Sequence, residues 1–205
     1  MILKVCGMRD AQNIREVEAV VRPQMMGFIC WEQSRRYVSS VPAYLPTRCI
    51  RTGVFVNPSM SHLRQKINSL RLQRIQLHGD ESPEYCQRII QQTGLPITKS
   101  LSIRQVEDIE QYRQYEGICD LLLFDTKCKT RGGSGEQFDW DILTHYKGSV
   151  PFLLAGGIGP RDAERLREFR HPMFLGIDVN SRFELSPGVK DVLLLREFSA
   201  SLQSP

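Results

Sequence analysis

The stretch Cys119-Asp-Leu-Leu-Leu-Phe124, followed at once by Asp125, says most about the fold of this chain. Its last four residues are all apolar rather than alternating with polar ones, which is typical of a strand buried on both faces. Seven other short runs share this character. The eight predicted strands cover residues 2–6, 25–30, 51–56, 74–78, 97–101, 119–124, 152–155 and 174–178. Burial on both faces implies helices on one side of each strand and a barrel interior on the other.

Segments with helical spacing separate these runs, and several have recognisable ends. Asp10 is placed to cap one helix, and Ser82-Pro83 gives an N-cap followed by proline at the first helical position, with Gly94 as the stop. Ser102 is predicted to precede another helix, and Pro160 to open one. The segments after the second and sixth strands have the weakest helical patterns.

Eight strands alternating with helices predict an α/β protein with a parallel sheet. The 205 residues allow roughly 25 for each of eight units, close to the lower limit for a barrel of this kind. We therefore predict one domain over residues 1–205, a single-domain (β/α)8 TIM barrel. The alternative from pattern alone is an open, doubly wound sheet.

The composition is that of an ordinary globular protein. The chain is 41% hydrophobic and 24% charged, and its net charge of +4 is far from the basic stripe of a nucleic-acid-binding protein. The 6 cysteines form no Cys-x-x-Cys pair, and the 4 histidines are not at metal-ligand spacing. No apolar run approaches the roughly 18 residues of a membrane span. We expect free thiols, a reducing cytoplasmic compartment, and no metal, nucleic acid or membrane as partner.

Three polar features lie at the carboxyl ends of predicted strands, where barrel enzymes place their chemistry. Cys6-Gly7 ends the first strand, Asp125-Thr126 ends the sixth, and Asp178 ends the eighth. A carboxylate directly after an apolar run is paired, hydrated at the strand mouth or shifted in pKa. A cysteine in an apolar run is more often a small buried hydrophobe than a reactive thiol. Lys4 precedes Cys6 by two residues and therefore shares its face of the strand.

Two turns and an arginine pair are candidates for binding anions. Gly156-Gly157 follows the seventh strand and Asn180-Ser181 the eighth, the positions at which barrels often bind phosphate. The competing interpretation of Gly156-Gly157 is a tight turn from strand to helix. Arg35-Arg36 is either solvated surface charge or a clamp for a carboxylate. The polar stretch of residues 126–137, which contains Gly133, is either a cover for the site or a surface loop.

Short motifs along nearly the whole chain carry a family resemblance. They are Lys4-Val-Cys-Gly7, Gly27-Phe-Ile29, Ser34-Arg-Arg-Tyr-Val38, Gly53-Val-Phe-Val-Asn57, Gln76-Leu-His-Gly79, Leu123-Phe-Asp-Thr126, Gly132-Gly-Ser-Gly-Glu-Gln-Phe-Asp-Trp140, Leu154-Ala-Gly-Gly157, Gly176-Ile-Asp-Val179 and Ser186-Pro-Gly-Val-Lys-Asp191. In this order they resemble phosphoribosylanthranilate isomerase, a family of tryptophan biosynthesis. The match extends over the chain and does not depend on one short pattern.

The resemblance implies an Amadori rearrangement of N-(5-phosphoribosyl)anthranilate to 1-(2-carboxyphenylamino)-1-deoxyribulose 5-phosphate, without a cofactor. Asp125 matches the general acid that opens the ribose ring to a Schiff base, and Cys6 matches the general base that removes the C2 proton. Arg36 is expected to hold the anthranilate carboxylate. The other expected substrate contacts are His78, Gly133, Gly156, Gly157, Asp178, Asn180 and Ser181. The expected partner is a phosphorylated small molecule, and the expected assembly is a monomer or a homodimer.

This chemistry requires Asp125 to start protonated and Cys6 to start as a thiolate. Their ordinary pKa values, roughly 4 and 8.5, would both have to move toward neutrality. Desolvation at the barrel mouth is expected to raise the pKa of the carboxyl, and nearby positive charge to lower that of the thiol.

Two segments depart from the family pattern. Asn180-Ser181-Arg182 stands where the family commonly has Ser-Ser-Gly, so we expect a differently built phosphate turn, with Arg182 either contacting phosphate or pointing to solvent. Cys30-Trp-Glu-Gln33 is more polar than the family pattern, in a loop that would adjoin the anthranilate ring.

Two other functions stay open. One is another sugar-phosphate barrel isomerase, such as an epimerase, which would need clustered metal ligands, or an isomerase of the ProFAR type, which pairs two aspartates where this chain has Cys6 and Asp125. The other is a non-catalytic barrel that binds a phosphorylated ligand.

Overall fold

The computed structural model describes residues 1–126 and 139–203. Eight parallel strands, each paired with its neighbours in sequence, close into a barrel through pairing of the first with the eighth. The strands are β1 (Ile2–Val5), β2 (Met25–Ile29), β3 (Ile50–Phe55), β4 (Arg74–Leu77), β5 (Ile97–Ile103), β6 (Leu121–Thr126), β7 (Phe152–Leu154) and β8 (Phe174–Val179). The predicted barrel is confirmed, and the open sheet is wrong.

Helices and short turns connect the strands. The α-helices are α1 (Ala11–Val20), α2 (Met60–Leu70), α3 (Pro83–Thr93), α4 (Val106–Ile109), α5 (Ala163–Glu168) and α6 (Val192–Ser201). Single 3-10 segments cover Glu110–Gln114, Trp140–His145, Pro160–Asp162 and Ser181–Phe183. A short antiparallel hairpin, β9 (Glu184–Ser186) and β10 (Val189–Lys190), follows β8 and was not predicted. Within the described ranges, no helix has the length and apolarity needed to cross a bilayer.

The predicted helix ends are confirmed where a capping side chain was named. Asp10 and Ser82 each accept a hydrogen bond from the backbone N–H three residues later. Pro83 opens α3, and Gly94 ends it in the left-handed region at φ 67°. These local signals fix where α1 and α3 begin, and therefore the lengths of the loops before them.

The sixth strand runs further than predicted. It contains Asp125 rather than ending before it, because Asp125 pairs with Ser102 of β5 in the parallel ladder. Ser102 therefore lies inside a strand and does not cap the following helix. That helix begins at Val106, and the Asp108 carboxylate caps it by accepting backbone N–H groups of the preceding turn.

Two apolar layers follow from the alternation of side chains along the strands. The larger layer lies between strands and helices and includes Val5, Ile75 and Leu122 together with helical residues such as Ile14 and Leu195. The smaller layer fills the barrel interior and consists of Met25, Leu121, Leu123, Leu153 and Ala155. Because Leu121 and Leu123 point inward, the same alternation directs Asp125 into the mouth of the barrel.

Candidate active site

Polar side chains from four strands converge at the carboxyl-terminal rim of the barrel. Parallel strands bring all their carboxyl ends to one rim, where barrels place their reactive groups. The inward positions of β1, β4, β6 and β8, or the residues directly after them, are Lys4, Cys6, Gln76, His78, Asp125 and Asp178. The barrel interior therefore changes from apolar to polar toward this rim.

A buried ion pair joins β1 to β8. Lys4 and Asp178 are partners in the strand register, and Lys4 Nζ lies 2.5 Å from Asp178 Oδ2, with the side chains 1% and 7% exposed. Burial disfavours the ammonium ion, but the attraction of Asp178 and Cys6 outweighs this and raises the pKa of Lys4. Among the described residues, Asp178 Oδ1 has no hydrogen-bond partner, although it is buried. A buried carboxylate oxygen in this position can accept a bond from a ligand.

The Cys6 thiol is buried beside this pair. Gly27 of β2 lies so close that a Cβ atom there would be 2.7 Å from Cys6 Sγ. Burial raises the pKa of the thiol above its ordinary value, and the positive charges of Lys4 and Lys190 offset this only in part. The expected lowering of the thiol pKa is therefore wrong, because desolvation outweighs the nearby cations.

Asp125 and His78 face each other at the mouth. His78 Nε2 lies 3.2 Å from Asp125 Oδ2, and the two side chains are 32% and 25% exposed. Gln76 Nε2 lies 3.3 Å from His78 Nδ1 and 3.1 Å from Ser100 Oγ. In the tautomer in which Nδ1 accepts from Gln76, Nε2 carries the ring hydrogen and can donate it to Asp125.

Cys6 and Asp125 lie at the same rim. The strands that carry them, β1 and β6, are separated around the barrel by β7 and β8. The Lys4 ammonium interacts with the Cys6 thiol, and the Asp178 carboxylate is within electrostatic reach of Asp125 and His78. A thiol and a carboxylate therefore face one space from different sides of the mouth.

Arg36 is a fixed guanidinium rather than a solvated surface charge. The segment that carries it is held against β2 by a parallel bridge between Ile29 and Tyr37. Arg36 Nε donates to Glu184 Oε1 at 2.8 Å, and Nη2 donates to Glu184 Oε2 at 2.6 Å. These bonds raise the pKa of Arg36. The Nε–Nη2 edge is thus occupied, and the Nη1–Nη2 edge is the one that can offer two parallel N–H groups to a second carboxylate.

The two predicted phosphate turns lie side by side. Gly156 and Gly157 have φ values of 83° and 68°, a conformation that glycine adopts without strain. Asn180 follows β8, and Ser181 opens the next 3-10 segment. A Cβ atom on Gly159 would lie 3.6 Å from Cβ of the exposed Arg182, so the turns after β7 and β8 are neighbours. Gly133 and most of the 126–137 stretch lie outside the described residues.

Two charged residues of this region were missed from the sequence. Glu184 of β9 pairs with Arg36, and Lys190 of β10 donates to Glu184 Oε1 at 2.7 Å and to Asn180 Oδ1 at 2.6 Å. Lys190 belongs to the motif Ser186-Pro-Gly-Val-Lys-Asp191, but the motif alone does not indicate what Lys190 contacts. Within residues 1–126 and 139–203, no group of three or more His, Cys, Asp or Glu side chains is arranged to hold a metal ion.

Buried ionisable groups gathered at the carboxyl ends of barrel strands, beside two turns suited to an anion, define the class: this is a (β/α)8-barrel enzyme. Comparison with known proteins narrows the class. The family model described as N-(5'-phosphoribosyl)anthranilate (PRA) isomerase matches residues 3–201. The chain belongs to this isomerase family of tryptophan biosynthesis, as its motifs indicated.

Individual relatives agree with the family model. Proteins named N-(5'-phosphoribosyl)anthranilate isomerase from Parabacteroides distasonis and Phocaeicola vulgatus are 47% and 46% identical to this chain. The alignments cover 100% of this chain and 95% of the first relative, and 99% of this chain and 98% of the second. The crystal structure of phosphoribosyl anthranilate isomerase from Thermus thermophilus superposes with a TM-score of 0.85 at 28% identity, over 98% of both chains.

Proposed function

We propose that this chain catalyses the Amadori rearrangement of N-(5-phosphoribosyl)anthranilate with Asp125 as general acid and Cys6 as general base. The isomerase activity is that of the family to which the chain belongs. One observation carries the assignment of the two residues: a buried thiol and a partly exposed carboxylate meet at one barrel mouth, with the Lys4–Asp178 pair between them.

The first step is acid-catalysed ring opening. Protonated Asp125 gives its proton to the ribose ring oxygen as the C1–O bond breaks, and the nitrogen lone pair forms the C=N bond of the Schiff base. His78 supports this role, because its Nε2 lies 3.2 Å from Asp125 Oδ2 and, as a donor, holds the carboxyl group toward the mouth. The same hydrogen bond stabilises the carboxylate that the transfer produces.

The second step is proton abstraction. The Cys6 thiolate removes the proton from C2, and the electrons of that C–H bond move toward the imine nitrogen to give an enolamine. The enolamine gains a proton at C1 and loses its C2 hydroxyl proton to become the ketone, so no proton is gained or lost overall. The imine is the electron sink, which is why these residues need no cofactor. The Lys4 ammonium beside the sulfur offsets part of the burial that disfavours the thiolate.

The remaining predicted residues bind the two ends of the substrate. Arg36 offers its second guanidinium edge to the anthranilate carboxylate. The backbone around Gly156-Gly157 and Asn180-Ser181 receives the phosphate. Asp178 Oδ1, which has no partner among the described residues, accepts a hydrogen bond from a ribose hydroxyl. The contact expected from Gly133 stays a prediction.

A turnover assay with matched variants tests the assignment. We expect Asp125→Asn and Cys6→Ser each to slow turnover by roughly 100- to 10,000-fold while product binding is retained. Arg36→Ala should mainly raise KM, because Arg36 is proposed to bind the anthranilate carboxylate. Asp120→Asn, at the opposite end of the sixth strand, and Cys49→Ser, at a cysteine outside the rim, are the controls. Near-normal turnover of Cys6→Ser or Asp125→Asn contradicts the proposed roles. A wild-type protein that binds ribose phosphate without turnover, and fails to complement a tryptophan auxotroph, supports the non-catalytic alternative.

We also propose a cytoplasmic location and a monomeric or homodimeric assembly. The described cysteines Cys6, Cys30, Cys49, Cys86 and Cys119 are all free, which supports a reducing compartment. Sedimentation velocity of the purified chain distinguishes the monomer from the dimer.

A further inference from the structure

The β9–β10 hairpin carries two buried charges that the proposed chemistry does not use. Glu184 and Lys190 are register partners in the hairpin, and their side chains are 5% and 0% exposed. The turn is closed by Gly188, at φ 87°, whose N–H donates to Glu184 Oε1 at 3.1 Å. Because a buried ion pair contributes little net stability compared with apolar residues of similar volume, its presence beside the rim calls for another reason.

Each charge of the hairpin holds a different part of the site. Glu184 accepts hydrogen bonds from Nε and Nη2 of Arg36, the residue proposed to bind the anthranilate carboxylate. Lys190 Nζ donates to Asn180 Oδ1 at 2.6 Å and to the Asn180 carbonyl oxygen at 3.3 Å, and Asn180 belongs to the proposed phosphate turn. Lys190 also donates to Glu184, so one chain of bonds runs from Arg36 to Asn180 through the hairpin.

The side chains of Arg36 and Asn180 both lie next to the backbone that follows Cys6. A Cβ atom on Gly7 would lie 2.7 Å from Asn180 Oδ1 and 2.8 Å from Arg36 Cδ. Gly7 directly follows Cys6 in the chain and has φ 78°. The side chains of Asn180 and Arg36 therefore converge on the backbone next to Cys6, and a shift of either one changes the space in front of the thiol.

We propose that Glu184 and Lys190 are positioning residues: from the hairpin, Glu184 fixes the guanidinium of Arg36 and Lys190 fixes the Asn180 turn, which sets the two ends of the substrate site on either side of Cys6. This inference rests on the proposed function, since it takes Arg36 and Cys6 in the roles given above.

The pKa of the Cys6 thiol provides a readout, because it depends on the charges around the sulfur. It would not change if Glu184 and Lys190 only stabilised the fold. Four groups face Cys6: Lys4 of β1, Asp178 of β8, Lys190 of β10, and Arg36 from the segment after β2. Removing the Lys190 charge takes away a cation near the sulfur and leaves the negative charge of Glu184 without its ion-pair partner. Both changes disfavour the thiolate, so the thiol pKa rises. Removing the Glu184 charge leaves Lys190 and Arg36 less compensated, so the thiol pKa falls.

The experiment compares Lys190→Met with Glu184→Gln in the full chain. The Cys6 thiol is titrated by the ultraviolet absorbance of its thiolate, as the difference from the same protein carrying Cys6→Ser, and kcat and KM are measured with substrate. We expect shifts of about one pH unit in opposite directions, upward for Lys190→Met and downward for Glu184→Gln. KM rises about tenfold in both variants, because a charged hydrogen bond that orients the site is lost. Lys147→Met and Glu197→Gln make the same chemical changes at exposed positions and leave the thiol titration and KM unchanged.

The double variant Glu184→Gln/Lys190→Met keeps the net charge of the hairpin and guards against misfolding of the single variants. We expect it to have a near-normal thiol titration and a raised KM. The proposal is overturned if the double variant, folded by its melting curve, has a wild-type KM, or if the single variants shift the titration in one direction or not at all. A Cys6→Ser protein that turns over normally contradicts the proposed function instead, and the thiol titration distinguishes the two failures because it needs no turnover.

Discussion

Replacing Gly27 with alanine tests how closely the thiol is held. Gly27 follows the register partners of β1 in β2 and lies directly against Cys6. An added Cβ atom would be 2.7 Å from the sulfur and 3.1 Å from Cys6 Cα, whereas ordinary contact begins at 3.4 Å. The new methyl group and the thiol must therefore separate by several tenths of an ångström. Because Cys6 directly follows β1, its backbone cannot shift without moving the end of that strand.

The displacement has two consequences of different size. Overpacking in a well-packed interior costs about 1–3 kcal/mol of unfolding free energy. A reacting group moved by about 1 Å loses roughly 100-fold in rate. Since the shift at Cys6 is somewhat smaller than this, we expect kcat of Gly27→Ala to fall by about 10- to 100-fold. KM should change little, because the three atoms nearest to the added Cβ atom all belong to Cys6.

Gly53→Ala is the matched control. Gly53 also lies in a barrel strand, and its added Cβ atom would be 2.4 Å from Leu72 Cδ1 and 2.7 Å from Phe55 Cε2, in the layer between strands and helices. Both variants should lower the melting temperature, but only Gly27→Ala should lower kcat. If kcat of Gly27→Ala stays within about twofold of wild type while its stability falls as in the control, the thiol is not the group whose position limits the reaction.

Two further predictions concern the buried charges. Lys4→Met leaves Asp178 as an uncompensated buried carboxylate and should cost about 3–5 kcal/mol in urea denaturation, whereas Lys4→Met/Asp178→Leu should recover most of it; equal losses in both variants would contradict the pairing. Burial alone would raise the pKa of Glu184, but its hydrogen bonds from Arg36 and Lys190 bring the folded-state pKa below 4.5. The ionised Glu184 therefore stabilises the folded protein above that pH, and this stabilisation is lost as the pH falls through the folded-state pKa. The melting temperature of Glu184→Gln should therefore lie below wild type near neutral pH and approach it in acid, and a difference that stays constant across this range would refute the depressed pKa.

The fold could be predicted because barrel strands carry their signal locally. A strand covered on both faces is apolar along its length, and the eight barrel strands begin and end within two residues of the predicted limits. The largest offset is in β6, where pairing of Asp125 with Ser102 extends the strand past its apolar run. The hairpin β9–β10 was missed because strands of three and two residues are too short to show a period.

The site could be predicted only in part, for a different reason. Strand ends marked Cys6, Asp125 and Asp178, and positions after the seventh and eighth strands marked the phosphate turns. Arg35-Arg36 had two open interpretations, and the family resemblance selected Arg36. The pairing of Arg36 with Glu184 joins residues 148 positions apart, and no periodicity of the sequence indicates a contact at that separation. Chemical type is equally uninformative about a pKa: the cations near Cys6 were anticipated, but the extent of burial that outweighs them depends on the packed structure.

The division of the barrel interior explains why these charges cluster where they do. Among the residues that the structure describes, five buried apolar side chains form the interior layer, and four of them lie on β6 and β7 or directly after β7. The carboxyl-terminal half of the interior instead holds Lys4, Gln76 and Asp178, which contribute little hydrophobic stabilisation. Lys4 forms an ion pair with Asp178, and Gln76 Nε2 donates to Ser100 Oγ. The layer between strands and helices therefore carries most of the stability of the fold. Because the fold depends less on apolar burial in the interior, the polar half of the interior can hold charges in the arrangement that proton transfer needs.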